Sequence, residues 1–217
     1  MGNFKRFIEG INISNIKVDM SFLDKLISKK IKISKLIKLL NSELSNENVL
    51  FLSEKSDYLG INDLSVYGSY AQDIDDESDG DEQSILIYIL HKGDSVIMMD
   101  SNISYIKIEI PKVINHESIH MQQARKRWFE YQKVYYSKNH PKAYLSNDDE
   151  IEAYANDIAE DILSEMDKEK AIKFLKKPRK GVSKYLDEYL DTFDNNHVVI
   201  KKLFKKIVLY INSKERK

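Results

Sequence analysis

Apolar positions recur at two spacings along this 217-residue chain, and the change between them separates a mixed first half from a helical second half. From Ser21, which can cap a helix, Leu23, Leu26, Ile27, Ile33, Ile37, Leu40 and Leu44 follow helical spacing and predict one packing helix ending near Ser45-Asn46. Val49 to Leu52 and Leu64 to Tyr70 have the character of short strands, separated by Gly60 and polar residues. Ile85 to Leu90, Val96 to Met99 and Ile103 to Ile110 are apolar runs divided by His91-Lys92-Gly93-Asp94 and Ser101-Asn102, which predicts a three-stranded antiparallel meander. Pro111 suits a first helical turn, where its missing N–H is no loss, and a helix is expected from there to about Ser137, before Asn139-His140-Pro141. Ser146, Asn147 or Asp148 can cap the next helix, which runs to about Met166. Beyond the break at Lys177-Pro178-Arg179-Lys180-Gly181, Val182, Leu186, Tyr189, Leu190 and Phe193 mark one helix, and Val199, Leu203, Phe204, Ile207, Val208 and Ile211 another. The expected class is α+β, with a small antiparallel sheet over about residues 85–110 followed by helices. Residues 1–72, 73–82, 83–167 and 168–217 read as segments of one unit.

Composition narrows the chemistry. With no cysteine, the chain cannot be a disulfide scaffold or a thiolate metal site, so a bound metal must be held by imidazole and carboxylate. The longest apolar run, Ile85 to Leu90, is far short of a membrane span, and no apolar signal core follows Met1-Gly2-Asn3-Phe4-Lys5-Arg6. The expectation is a cytoplasmic protein of a bacterium or a phage-infected host cell, without a membrane partner. A net charge of −1 conceals segregation: residues 1–40 carry +6, residues 41–167 carry −16 and residues 168–217 carry +9. An acidic middle favours cations and basic peptide segments and opposes nucleic acid, while the Lys-rich ends and Arg125-Lys126-Arg127-Trp128 offer an anionic partner a surface. From Asp73 to Glu82 seven of ten residues are acidic, which reads as a solvated loop. Asp75, Glu77, Asp79 and Gly80 resemble the start of a calcium loop, but its twelfth position falls on Leu86, where a glutamate is required.

His116-Glu117-Ser118-Ile119-His120 is an HExxH motif, which on a helix sets two imidazoles one turn apart with a carboxylate beside them. Val113, His116, Glu117, His120, Ala124, Trp128, Tyr131 and Tyr135 share a stripe, so the histidines are expected to face inward. Buried imidazoles are costly unless hydrogen-bonded or bound to a cation. The motif recurs by chance and needs support, which Asp149-Glu150-Ile151-Glu152-Ala153-Tyr154-Ala155 can supply. Rotation of 100° per residue places Ile151, Ala155, Ile158, Ala159, Ile162, Leu163 and Met166 on one face, with Glu152 at its edge and Glu150 and Tyr154 turned away. Glu152 is therefore the expected third ligand, with His140 the next candidate.

These residues resemble the gluzincin metallopeptidases, in which HExxH is followed by a glutamate ligand on a later helix. The stretch from Glu150 through Glu152-Ala153 to Leu163 is similar to the second helix of the ImmA/IrrE-type metallopeptidases, a likeness covering roughly residues 104–166. It implies a zincin-like pair of active-site helices, a Zn2+ site of His116, His120 and Glu152, and Glu117 as catalytic base. The chain departs from that pattern at Asn156 and Tyr154. The expected activity is hydrolysis of peptide bonds in a protein or peptide substrate. Tyr144, His140 and His197 are candidate oxyanion donors, and Asn156 a candidate partner for a ligand histidine. An exposed strand of the meander could hold an extended peptide. The alternative is a non-catalytic phage or mobile-element structural or interaction protein in which a metal only staples helices together.

Overall fold

In a computed structural model, which describes residues 19–44, 49–57, 59, 64–72, 83–126 and 141–214, the first apolar pattern breaks midway. Ser21–Leu26 form a 3-10 helix, its entry held by Asp19 Oδ1, which accepts the Ser21 N–H at 2.9 Å. Ser28 then takes the left-handed conformation, with φ 62°, and Lys30–Lys32 continue as strand β1. Helix α1, Ile33–Leu44, begins only there and buries Ile33, Leu36 and Leu40. The single helix expected from Ser21 is thus two elements with a strand between them. Lys30, Ile31 and Lys32 alternate out, in and out, a period of two that the helical spacing around them obscured.

The chain divides into two units, Met1–Met121 and Gln122–Lys217. In the first, β2 (Val49–Lys55), β3 (Leu64–Gln72) and β4 (Gln83–His91) form a sheet in the order β2-β4-β3, with β2 parallel and β3 antiparallel to β4. Val49, Phe51, Leu64, Val66, Tyr70, Ile85, Ile87 and Ile89 are buried at alternate positions, while Leu50 and Tyr67 face outward. Asn41 fastens α1 to β2, its Nδ2 donating to the Phe51 carbonyl and its Oδ1 accepting the Phe51 N–H, each at 2.8 Å. Strand β5 (Ser95–Ile97) leaves this sheet and pairs with β1, Ile31 opposite Val96.

The expected meander is therefore corrected on two counts: β4 is the central strand of a mixed sheet, and Ile103 to Ile110 are helical. They form the first half of α2, Asp100–Lys126, which carries Pro111 in its interior. Asn102, Ile103, Ile106, Glu109, Ile110 and Ile114 are buried at three- and four-residue steps, and the Asn102 side chain accepts the Met99 N–H at 3.0 Å, closing the helix start. Burial of that isoleucine stripe outweighs the hydrogen bond Pro111 cannot donate. Ile106, Ile108 and Ile110 also alternate, which is why the segment reads as a strand.

Among the described residues the second unit holds the end of α2 and five further helices: α3 (Pro141–Leu145), α4 (Asp148–Glu165), α5 (Lys168–Lys176), α6 (Lys184–Thr192) and α7 (Val198–Ser213). Asn147, Asp167, Ser183 and His197 cap the last four. Ile151, Ala155, Ile158, Ala159 and Ile162 of α4 pack with Leu203, Ile207 and Ile211 of α7 and Tyr189 of α6. Alanines at two of these positions let the helices approach closely. The architecture is mixed α+β and mostly helical, and none of the described helices is long and apolar enough to cross a membrane.

Candidate metal centre

From Ile114 to Met121 every residue of α2 is buried, so the HExxH motif lies on a helix turn with no solvent face. The His116 and His120 rings stand 4.9 Å apart, inclined at 75°. Glu150, in the first turn of α4, is equally buried, and one ligand atom from each of His116, His120 and Glu150 lies within 4.8 Å of the others. Local chemistry sets the glutamate in place. Asn147 Oδ1 accepts the Asp149 N–H at 2.8 Å to start α4, and Gln123, three residues beyond His120, donates through Nε2 to the Asp149 carbonyl at 3.1 Å. Tyr144 hydrogen-bonds with Glu150 and Tyr154, and burial, followed by those two neighbours, drives its hydroxyl far above the ordinary tyrosine range, so it remains protonated.

Glu117 is set by a different contact, within the first unit. Gly68 of β3 lies against it: a Cβ at position 68 would sit 2.8 Å from Glu117 Cγ, 3.0 Å from its Oε1, and overlap Val113 Cγ1. The missing side chain makes the space that the glutamate occupies. On the same strand, Val66 N–H donates to the Tyr105 hydroxyl at 3.3 Å, away from β4. Because backbone groups alternate in direction, the Gly68 N–H and C=O point to that same outer edge, while Glu117 lies against the face of the strand at that residue.

The acid brought to the histidines is thus Glu150, and Glu152, expected there, lies elsewhere. Its carboxylate pairs with Lys206 at 3.3 Å, one rung of a ladder that also joins Asp148 to Lys202 and Glu160 to Lys214, each at 2.7 Å. Acids at 148, 152 and 160 matched by lysines at 202, 206 and 214 share one interval, and that register was the missed signal for Glu152. For Glu150 the signal was its place three residues after the Asn147 cap, where a glutamate belongs to the helix start. Facing the apolar stripe does not single out the acid, because α4 is buried on more than that stripe: Glu150, Ala153 and Asp157 line a second covered side.

The remaining candidates separate cleanly. Tyr144 reaches Glu150. Asn156 is 1 % exposed, and its Nδ2 has no hydrogen-bond partner among the described residues. His197 is corrected to an exposed helix cap, its Nδ1 accepting the Val199 N–H at 3.2 Å and its ring 4.8 Å from that of Phe193. His140, the acidic loop 73–82 with its calcium alternative, Arg127-Trp128 and the expected extension of α2 to Ser137 lie outside the described residues.

Two imidazoles and one carboxylate, in a chain without thiolates, suit a divalent cation of borderline softness. Ligand atoms around one tetrahedral zinc stand about 3.4 Å apart for bonds near 2.1 Å, so small side-chain rotations close the observed group around an ion. The buried group of His116, His120 and Glu150 could hold a metal ion. No protein-family model, curated protein or solved structure matches this chain.

Proposed function

We propose that the chain is a zinc-dependent peptidase whose ligands are His116, His120 and Glu150 and whose general base is Glu117. The observation that carries this reading is the convergence of three buried ligands from two helices with a fourth, non-ligating carboxylate adjacent in the motif. A bound zinc ion would supply Lewis acidity, lowering the pKa of a water to about 7 and stabilising negative charge on the scissile carbonyl oxygen. Glu117 takes the proton of the attacking water on its carboxylate and delivers it to the departing amine nitrogen. Gly68 lets that carboxylate rest against β3 rather than being displaced by a side chain. Tyr144 holds Glu150 by a hydrogen bond, the role of an orienting partner.

An extended peptide as substrate is favoured by the outer edge of β3. Among the described residues β3 is an edge strand, its Gly68 peptide groups point outward, and Glu117 lies against the face of the strand at that same residue. A segment adding to that edge would carry its backbone past the carboxylate. A zincin-like pairing of α2 and α4 belongs to the same proposal and is supported by the group of His116, His120 and Glu150.

Glu117→Gln tests the reading. The variant is expected to keep its zinc, measured by elemental analysis, and to lose hydrolysis of a fluorogenic peptide mixture. Hydrolysis that survives the substitution, or a wild-type protein that binds zinc and cleaves nothing, would favour a structural staple instead.

A further inference from the structure

Within the first unit, apart from the metal group, a cavity of about 720 Å3 is lined by Lys30, Lys32, Ser34, Ser53, His91 and Ser95. Its polar lining is almost wholly made of donors. Lys30 and Lys32 stand on one face of β1, Lys32 directly opposite Ser95, and neither has an acidic partner among the described residues. Asp94 also reaches the cavity, but it is paired with Lys55 at 2.8 Å, and that ammonium holds its carboxyl below the usual range. Helix α1 starts at the cavity wall. The Ile33 N–H goes to the Asp94 carbonyl at 3.0 Å, while the next amides, of Ser34 in the cavity lining and of Lys35 after it, are first-turn groups with no intrahelical acceptor. They add the positive end of a twelve-residue helix to the two lysines.

His91 supplies an independent indication. It is 6 % exposed, and its Nδ1 lies 2.8 Å from the Gly93 carbonyl, an acceptor that fixes the proton on that nitrogen. Nε2 is then a lone-pair acceptor with no partner among the described residues, in the wall of a cavity whose remaining groups can all donate except the Lys55-paired Asp94. A fully deprotonated oxyanion would be repelled by that lone pair. An oxyanion that keeps one hydroxyl would be held by it.

We propose that this cavity binds a phosphate group retaining a proton: the lysines, serine hydroxyls and first-turn amides donate to its oxygens, and its P–OH donates to His91 Nε2. The site is separate from the proposed peptidase centre, and its test does not depend on zinc. Calorimetric titration of the full chain, freed of metal by a chelator, would compare inorganic phosphate with sulfate at pH 7.5, where sulfate has no hydroxyl. Phosphate should bind with a Kd of about 1 mM or tighter and at least tenfold more tightly than sulfate. The exposed pair Lys30→Gln/Lys32→Gln should lose at least tenfold of that affinity, and His91→Phe should erase the preference over sulfate. Methylphosphonate at pH 7.5, where much of it keeps its proton as inorganic phosphate does, identifies the source: tighter binding than inorganic phosphate marks an organic phosphoryl group, weaker binding the free ion. Absent phosphate binding, equal binding of sulfate by the wild type, or an unchanged lysine double variant would overturn the proposal. Glu150→Ala should leave phosphate binding intact, so loss of the metal reading would not touch this one.

Discussion

Replacing Gly68 with alanine adds one methyl group where β3 meets the helix that carries the motif. The new Cβ would lie 2.8 Å from Glu117 Cγ and 3.0 Å from Oε1, closer than ordinary carbon contacts, and would overlap Val113 Cγ1. Overpacking of this kind costs about 1–3 kcal/mol, and the rigidity gained by losing a glycine returns only about 0.4–1 kcal/mol, so the net effect is destabilising. A net loss of about 1.5 kcal/mol lowers the folded-to-unfolded ratio roughly tenfold and shifts a urea midpoint by roughly 0.5–1 M. The catalytic effect should be larger. Displacing Glu117 by about 1 Å is expected to lower kcat on peptide substrates by roughly a hundredfold with little change in zinc content. Gly93→Ala is the control, since its added Cβ would meet nothing nearer than the Ser95 carbonyl oxygen at 3.6 Å. Adding Val113→Ala to Gly68→Ala removes one of the two overlaps, so the double variant should be more stable than the sum of the single effects predicts. Unchanged urea midpoint and unchanged kcat in Gly68→Ala would refute the claim that this glycine exists to seat Glu117.

Tyr144→Phe removes the hydroxyl that reaches Glu150 and should weaken zinc binding by about 10- to 100-fold in a competition assay with a fluorescent chelator. Lys206→Ala breaks a pair whose side chains are 40 % and 30 % exposed; it should cost under about 1 kcal/mol in urea unfolding and leave zinc content unchanged. A cost well above that would contradict the reading of this pair as a solvent-screened contact.

Where a single periodicity governs a segment, the sequence was sufficient. The strands around Phe51, Val66 and Ile87 and the helices around Ile158, Leu186 and Leu203 lie where alternation or helical spacing places them. Where two periodicities overlap, tertiary packing chose. Ile103 to Ile110 satisfy both, and the buried stripe of Ile103, Ile106 and Ile110 made them helical in spite of Pro111. Lys30 to Lys32 went the other way, because pairing with Ser95 to Ile97 supplies a ladder that local spacing does not reveal. The motif histidines were legible because HExxH fixes their spacing on one helix. The third acid was not, since Glu150 and Glu152 differ by two residues on a helix covered on both sides, and only the lysines of α7 decide that Glu152 belongs to them.

The most direct test is zinc stoichiometry, by mass spectrometry of metals, in purified wild type, Glu150→Ala and Glu152→Ala. About one zinc per chain in the wild type, lost on removing Glu150 and kept on removing Glu152, is the predicted result. Zinc that persists without Glu150, or that disappears with Glu152, would contradict the assignment of the centre to His116, His120 and Glu150.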